Sequence, residues 1–398
     1  MSASNALSLC SAADARSPAV PDRPVTLAAV TWDFALVGRT RMLTEAWLKL
    51  HAAPVFVQVP SLRTAVEKAL APFRPAPSAT VVRPWPIRPI RWWDPHNESG
   101  LRRLIRRKAA NLRRRLDHII DFSRSTAIVV SPVWSPWLEE LPFAHVVYDC
   151  IDEVTVHIPR PDLTPLYQKW EYELIARAAG AVTTAETLSE GLRSRNARLP
   201  ITVIRNGVDA DHFERVARAN GRPKDLPVSN RPIIGFVGAL YNWIDWRLIA
   251  DVARALPDYD FVFVGPHDGR GALNLLDGAQ NVRFLGPRPY ARVPAYMAAF
   301  DVAWVPFDQS RVSRAANPVK IYEYLAVGKP VVTTPVADTN LFGTLVRVGR
   351  TPEEIVECLR AALAERDVKI DERKEFARAN SWNARAAEYL SFITSLRK

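Results

Sequence analysis

Hydrophobic positions along this chain switch repeatedly between two spacings. Short apolar runs at 25–30 (VTLAAV), 54–59 (PVFVQV), 127–130 (AIVV) and 145–148 (HVVY) have the length and β-branched content of buried strands. Between them lie longer segments with apolar residues three and four apart. Leu43, Trp47 and Leu50 share the inward face of a helix within 31–50. Leu101, Leu104, Ile105, Leu112, Leu116 and Ile119 share one face of another. Residues 79–89 are broken by proline and read as extended. A helix over 163–180 is stopped by Gly180, and AVTTAETLSEGL continues as a strand and a helix. ITVI at 201–204 leads to an Asn206-Gly207 turn, and the proline-rich polar stretch 221–232 reads as a linker. The second half repeats the alternation, with strands in PIIGFVGAL and YDFVFVGP and a further strand-helix-strand unit in 281–307. Helices over 352–364 and around Trp382, Tyr389, Leu390 and Ile393 end the chain. Strand and helix alternating in both halves predict two doubly wound α/β domains.

Size agrees with that reading, since 398 residues are enough for two cores. At 48% hydrophobic residues the chain is globular, and no run of about 18 apolar residues predicts a membrane span. Residues 1–24 lack a basic start and have only a short apolar run, so they read as a flexible tail and not a secretory signal. Cys10, Cys150 and Cys358 have no pairing or metal spacing, which fits a reducing cytoplasm.

The net charge of +11 favours anionic partners. It is concentrated at 101–120, where Arg102, Arg103, Arg106, Arg107, Lys108, Arg113, Arg114 and Arg115 crowd the polar side of the predicted helix. With tryptophans nearby, such a helix can lie on an anionic membrane, here the inner face of the cell membrane. The same pattern also suits an outer helix whose apolar stripe packs on the sheet. No nucleic-acid module accompanies it, and no nucleic-acid partner is expected.

The most informative stretch is NPVKIYEYLAVGKPVV, 317–332. Ile321, Tyr324 and Leu325 share a helical face, Pro318 suits a first helical turn, Gly328 stops the helix, and Val331-Val332 opens a buried strand. Lys320 and Glu323 are left near the open end, beside Asn317. A helix N-terminus plus an ammonium is a place to hold a diphosphate. A carboxylate one turn later can accept hydrogen bonds from ribose hydroxyls. An ordinary amphipathic helix in an α/β domain would share the periodicity.

This segment resembles the nucleotide-sugar-binding motif of two-domain glycosyltransferases of the GT-B fold, with a donor domain like glycosyltransferase family four. It is similar to the "NPxKxYEYLAxGKPVV" of bacterial polysaccharide and teichuronic acid glycosyltransferases. The resemblance implies that Glu323 binds the ribose and Lys320 the phosphates, with Asn317 and Pro318 beside them. A second run, similar to "GFVGALYxWIDxxLI", would place Gly238, Ala239, Tyr241, Asn242 and Asp245 near the donor. Residues 286–288, ending at Arg288, resemble the segment lining the base pocket. In the first half, a run similar to "WDFxxxRxxxL" would put Trp32, Asp33 and Arg39 on the acceptor side.

The string YDCIDE is similar to the family's "YDCxDE" and ends a strand in Asp149, Asp152 and Glu153. A carboxylate there could take a proton from an acceptor hydroxyl. Asp149 is the preferred base and Asp152 the second choice. Either could instead cap a helix or pair with arginines, and the cluster could hold a divalent ion, although no His or spaced third ligand supports one. Asp209-Ala210-Asp211 matches a metal-binding DxD of a different glycosyltransferase fold. It sits in a turn of the "RNGVDxxxF" type that resembles the ordinary entry to the GT-B second domain.

The resemblance implies domains at 25–205 (acceptor side) and 206–378 (nucleotide-sugar side), facing a central cleft. A final helix, 379–398, would cross back to the first domain. The implied activity is that of a hexosyltransferase-class enzyme in polysaccharide biosynthesis. It would move a sugar from a nucleotide donor, expected to be UDP-linked, to a glycan or lipid-linked acceptor, with no metal and no cofactor. One departure matters. Retaining members carry a glutamate eight positions before the one aligned with Glu323, and here that position is Ala315. This favours inversion. A GT-B nucleotide-sugar epimerase and a non-catalytic glycan- or membrane-binding GT-B-like protein remain alternatives.

Overall fold

The structure is a computed structural model. It describes residues 23–28, 38–58, 79–84, 93–158, 160–219, 221–267, 275–276 and 278–397. The first unit is a seven-stranded parallel sheet. Its strands are β1 (Pro24–Leu27), β2 (Val55–Val57), β3 (Thr80–Val82), β4 (Thr126–Val129), β5 (His145–Cys150), β6 (Gly180–Thr183) and β7 (Ile201–Val203). They lie in the order β3-β2-β1-β4-β5-β6-β7. The second unit is six-stranded, in the order β10-β9-β8-β11-β12-β13. Here the strands are β8 (Ile233–Val237), β9 (Asp260–Val264), β10 (Val282–Gly286), β11 (Val302–Val305), β12 (Val331–Thr333) and β13 (Val346–Val348).

Each sheet starts in the middle, runs outward, then returns past its first strand. That reversal is the topological switch of doubly wound sheets, and ligands bind at the strand carboxyl ends there. In the second unit the switch lies between β8 and β11. The loops leaving those two strands carry the Gly238 turn and the 317–326 motif.

Two separate apolar cores form, one per unit. The helix Glu98–Leu116 packs Leu101, Ile105, Ala109, Leu112 and Leu116 into the first. A third cluster joins the helix Arg39–Lys49 to the final helix, Trp382–Ser395. Trp47 donates its indole N–H to the Ala386 carbonyl at 3.1 Å, and its ring meets Tyr389 edge-on at 5.4 Å. Leu50, expected inward, is 39% exposed because the helix ends at Lys49.

Two chain segments link the units side by side. Val208 donates its N–H to the Asn380 carbonyl, and the Trp382 N–H returns to the Val208 carbonyl, both at 3.1 Å. Gly207 is required here because a Cβ would fall 2.9 Å from the Asn380 carbonyl oxygen. Gly180 does not stop a helix. The preceding helix ends at Arg177, and Gly180 opens β6, where a Cβ would strike Phe392 of the final helix at 2.8 Å.

Candidate active site

The motif segment forms the helix Val319–Ala326. Pro318 is its N-cap in extended geometry and not a first-turn residue, and no side chain caps this end. Apart from Ile321, whose N–H donates to the Pro318 carbonyl at 3.2 Å, the first amides of this helix lack intrahelical acceptors and carry the positive end of its dipole. Gly328, with φ +76°, ends it in the left-handed conformation glycine favours. Tyr324 fixes its position. The pairing of β8 with β11 covers Ile234 and Gly235, and beyond it the Val237 N–H donates to the buried Tyr324 hydroxyl at 2.7 Å.

Lys320 and Glu323 face each other across one turn, with Nζ 2.6 Å from Oε2. Glu323 is nearly buried, and Lys320 is about a quarter exposed. The ammonium thus sits over the carboxylate within the first turn and a half of an uncapped helix. An incoming diphosphate would compete for the ammonium and release the carboxylate for hydroxyls.

Three strand ends of the same sheet come together at its carboxyl edge. Gly238 donates its N–H to the Val264 carbonyl at 2.9 Å, and Gly265 donates to the Gly286 carbonyl at 3.0 Å. Backbones meet so closely that a Cβ on Gly265 would lie 1.7 Å from the Gly238 oxygen. Sequence reasoning missed Gly265. A glycine immediately after a strand in the same half as the motif was the available signal.

Several expected donor ligands are committed elsewhere. The Gly238 amide is used by Val264. Asp245 caps the helix Trp246–Ala255, accepting the Leu248 N–H at 2.9 Å. Arg288 pairs with Asp225 at 2.6 Å and donates to the Tyr296 hydroxyl at 2.9 Å. Asn317 is buried and accepts the Asn206 N–H at 3.0 Å, while its carbonyl accepts the Asn206 side-chain amide at 2.6 Å. It clasps the two units together. Ala239 and Tyr241 are half-buried, and Asn242 is exposed on the same turn. That turn is braced by the Trp243 indole, which donates to the Ala239 carbonyl at 3.1 Å.

On the first unit, Trp32 and Asp33 lie outside the described residues. Arg39 is not on an open acceptor surface. Its guanidinium makes a two-pronged pair with Asp149, at 3.3 and 3.2 Å, and both side chains are almost fully buried. Burial pushes the Asp149 carboxyl above its ordinary range, with Arg39 pulling against it. This arrangement leaves no place for an acceptor hydroxyl at Asp149. Asp152 is half-buried just past the end of β5. Its neighbour Glu153 reaches Arg311 of the second unit at 2.9 Å, so this acidic turn stands at the seam where the two sheets' carboxyl ends meet. Ala315 is buried there in the first unit's core.

Asp209 of the Asp-Ala-Asp string accepts the His212 N–H at 3.2 Å and lies 3.7 Å from Lys49. Among the described residues no cluster of three or more His, Cys, Asp or Glu side chains could hold a metal.

The basic helix keeps its apolar stripe in its own core, so that stripe cannot enter a lipid surface. Arg102 binds Glu98, Glu139 and Glu173 at 2.8, 2.6 and 2.6 Å. Arg103, Arg107, Arg113 and Arg114 stay exposed without an ion-pair partner among the described residues. No helix among the described residues is long and apolar enough to cross a membrane.

Known structures share this fold. Sucrose-phosphate synthase from Thermosynechococcus elongatus superposes with a TM-score of 0.69 at 14% identity, covering 94% of this chain and 99% of that one. HepE of Anabaena, solved in complex with UDP and glucose, gives 0.68 at 14% identity over 94% and 100% of the two chains. The fold is GT-B. Within it, residues 231–365 match the family model described as glycosyl transferases group 1, a span that includes the Gly238 turn and the helix Val319–Ala326. Two named relatives are glycosyltransferases. TuaH of Bacillus subtilis (strain 168), named for teichuronic acid biosynthesis, is 29% identical over 205 residues, 49% of this chain and 51% of its own. The 2-deoxystreptamine glucosyltransferase of Streptomyces kanamyceticus is 29% identical over 219 residues, 52% of this chain and 54% of its own. The chain thus spans about half the length of the relatives it matches.

Proposed function

We propose that this GT-B chain is a glycosyltransferase that takes a sugar from a UDP-linked donor and places it on a hydroxyl of a glycan or lipid-linked saccharide. One observation carries the reading. An uncapped helix N-terminus bearing the Lys320–Glu323 pair stands at the topological switch of a group 1 glycosyl transferase domain. The free amides and Lys320 would hold the diphosphate, and Glu323 the ribose. HepE, a neighbour in fold, binds UDP and glucose. As the bond from sugar to diphosphate breaks, negative charge grows on the leaving oxygen, where the helix end and Lys320 would stabilise it without metal. The acceptor would approach from the first unit, and closure around both substrates would exclude water and align the hydroxyl with the anomeric carbon.

We assign the base to Asp152, which lies just past the end of β5 beside Glu153 at the seam between the units, whereas Asp149 is buried. Ala315, in place of a glutamate and buried in the first unit's core, supports inversion at the anomeric carbon. The four exposed arginines of the helix Glu98–Leu116 that lack an ion-pair partner among the described residues would add electrostatic attraction to an anionic membrane at the cytoplasmic face.

Calorimetry with UDP tests the reading. Glu323→Ala should weaken binding by roughly 10–100-fold, since hydrogen bonds to a charged group contribute about 1.5–3 kcal/mol. Equal UDP affinity in the variant removes the ribose assignment. No UDP binding, and no hydrolysis or transfer from a panel of nucleotide sugars by the unmodified protein, removes the proposed function.

A further inference from the structure

The Arg39–Asp149 pair belongs to a buried polar chain that runs from the first sheet to the motif helix of the second unit. Asp149 is the last residue but one of β5 in the first unit, and Arg39 begins the helix packed against the final helix. The same guanidinium donates to the Arg205 carbonyl at 3.0 Å and to the Asn206 side-chain oxygen at 3.5 Å, on the link between units. Asn206 in turn grips Asn317, immediately before the motif helix, through two hydrogen bonds of 3.0 and 2.6 Å. Asn317 donates to the Tyr322 hydroxyl within that helix at 3.3 Å. The Tyr389 hydroxyl of the final helix is buried, has no hydrogen-bond partner among the described residues, and feels the Asp149 charge.

A buried ion pair is a poor way to gain stability, because desolvating two charges consumes most of their attraction, and apolar replacements are often as stable. What such a pair does supply is direction. Its geometry is fixed where an apolar contact could slide. Here the direction is handed on, bond by bond, from the end of the first sheet to the start of the motif helix.

Resting on the glycosyltransferase reading above, we infer that Asp149 and Arg39 are positioning residues. The carboxylate orients the guanidinium, the guanidinium orients Asn206, and Asn206 sets the motif helix relative to the first unit. Asp149 then governs how the donor meets the acceptor without touching either.

The test combines interdomain distance with kinetics. Spin labels are placed at Arg113→Cys and Arg360→Cys, one exposed on each unit, in a background with Cys10 and Cys358 replaced by Ser. Pulsed electron resonance reads the distance distribution with and without UDP. Asp149→Asn, Arg39→Lys and Asn206→Ala should each broaden the distribution. Each should lower kcat/KM for the acceptor by about ten-fold while leaving the Kd for UDP within about two-fold. The Asp149→Asn/Asn206→Ala double variant should be no worse than its more severe single parent, because both break one chain. Asp152→Asn should lose kcat with the distribution unchanged. The inference is overturned if Asp149→Asn loses turnover while its distance distribution stays as narrow as the parent's, or if the two substitutions add fully. Should Asp149→Asn misfold, Asn206→Ala decides alone, since it leaves the buried ion pair intact. An unaltered distribution there also overturns the inference. Absence of UDP binding by the parent protein sinks the function instead and leaves the distance result readable.

Discussion

Tyr324→Phe isolates one atom in the mechanism. The hydroxyl it removes is buried and accepts the Val237 N–H at 2.7 Å. Val237 ends β8, and its exposure is only 4%, so water cannot replace the lost acceptor. A buried N–H left unpaired costs about 1–3 kcal/mol. For a domain of this size, each kcal/mol moves Tm by about 2–4 °C, so a central loss of about 2 kcal/mol predicts a fall of about 4–8 °C. The same hydrogen bond ties the motif helix to the strand that delivers Gly238. Loosening it should also weaken UDP binding by several-fold, a second effect on a protein that still folds. Differential scanning calorimetry and UDP titration on one preparation measure both. Tyr172→Phe, at a residue 58% exposed, is the control and should leave Tm within about 1 °C. An unchanged Tm in Tyr324→Phe would refute the claim that this hydroxyl holds helix and strand together.

Gly265→Ala should be more severe for binding than for folding. Its Cβ would sit 1.7 Å from the Gly238 oxygen, so the turn must move, and UDP affinity should drop at least roughly ten-fold, about 1.4 kcal/mol; unchanged affinity would clear this turn of any part in the site. Lys329 is half-buried, and burial lowers its ammonium pKa. The folded state therefore releases this proton before the unfolded state does, and stability gains from Lys329 losing charge as pH rises through the folded pKa toward 10.5. Lys329→Met should accordingly raise Tm at pH 7, with the gain shrinking as pH approaches 10.5; a gain constant with pH would show that charge is not the cause. The exposed arginines of the helix Glu98–Leu116 should let the protein sediment with vesicles of anionic lipid at low salt and leave them at about 0.5 M salt, where screening is short-ranged. Arg103→Glu together with Arg114→Glu should abolish this, and salt-insensitive binding would argue for another surface.

The sequence was legible where the determining interactions are local. The 317–332 motif declares itself through a helical period, a glycine that ends it and an apolar strand after it, and all three features depend on neighbours. The helix Glu98–Leu116 was visible for the same reason, but its period alone did not say whether core or lipid would take the stripe. Residues whose partners are distant were misjudged. Arg39 and Asp149 are 110 positions apart, and nothing in either neighbourhood marks them as a pair. Gly180 and Gly207 look like punctuation. The structure needs them small because the end of the chain passes over them. Asp245 stands one residue before an apolar helical run, the usual place for an N-cap, so its capping role is local and legible.

The return of the final helix to the first unit has a consequence for how the molecule is made. Trp47 emerges early, but the carbonyl it bonds lies 339 residues later. With vectorial synthesis at about 5–20 residues per second, the helix Arg39–Lys49 would wait tens of seconds with its apolar side bare. The first half of the nascent chain therefore leaves the ribosome unfinished, and even a few residues lost from the far end should be felt most by the half that was translated first.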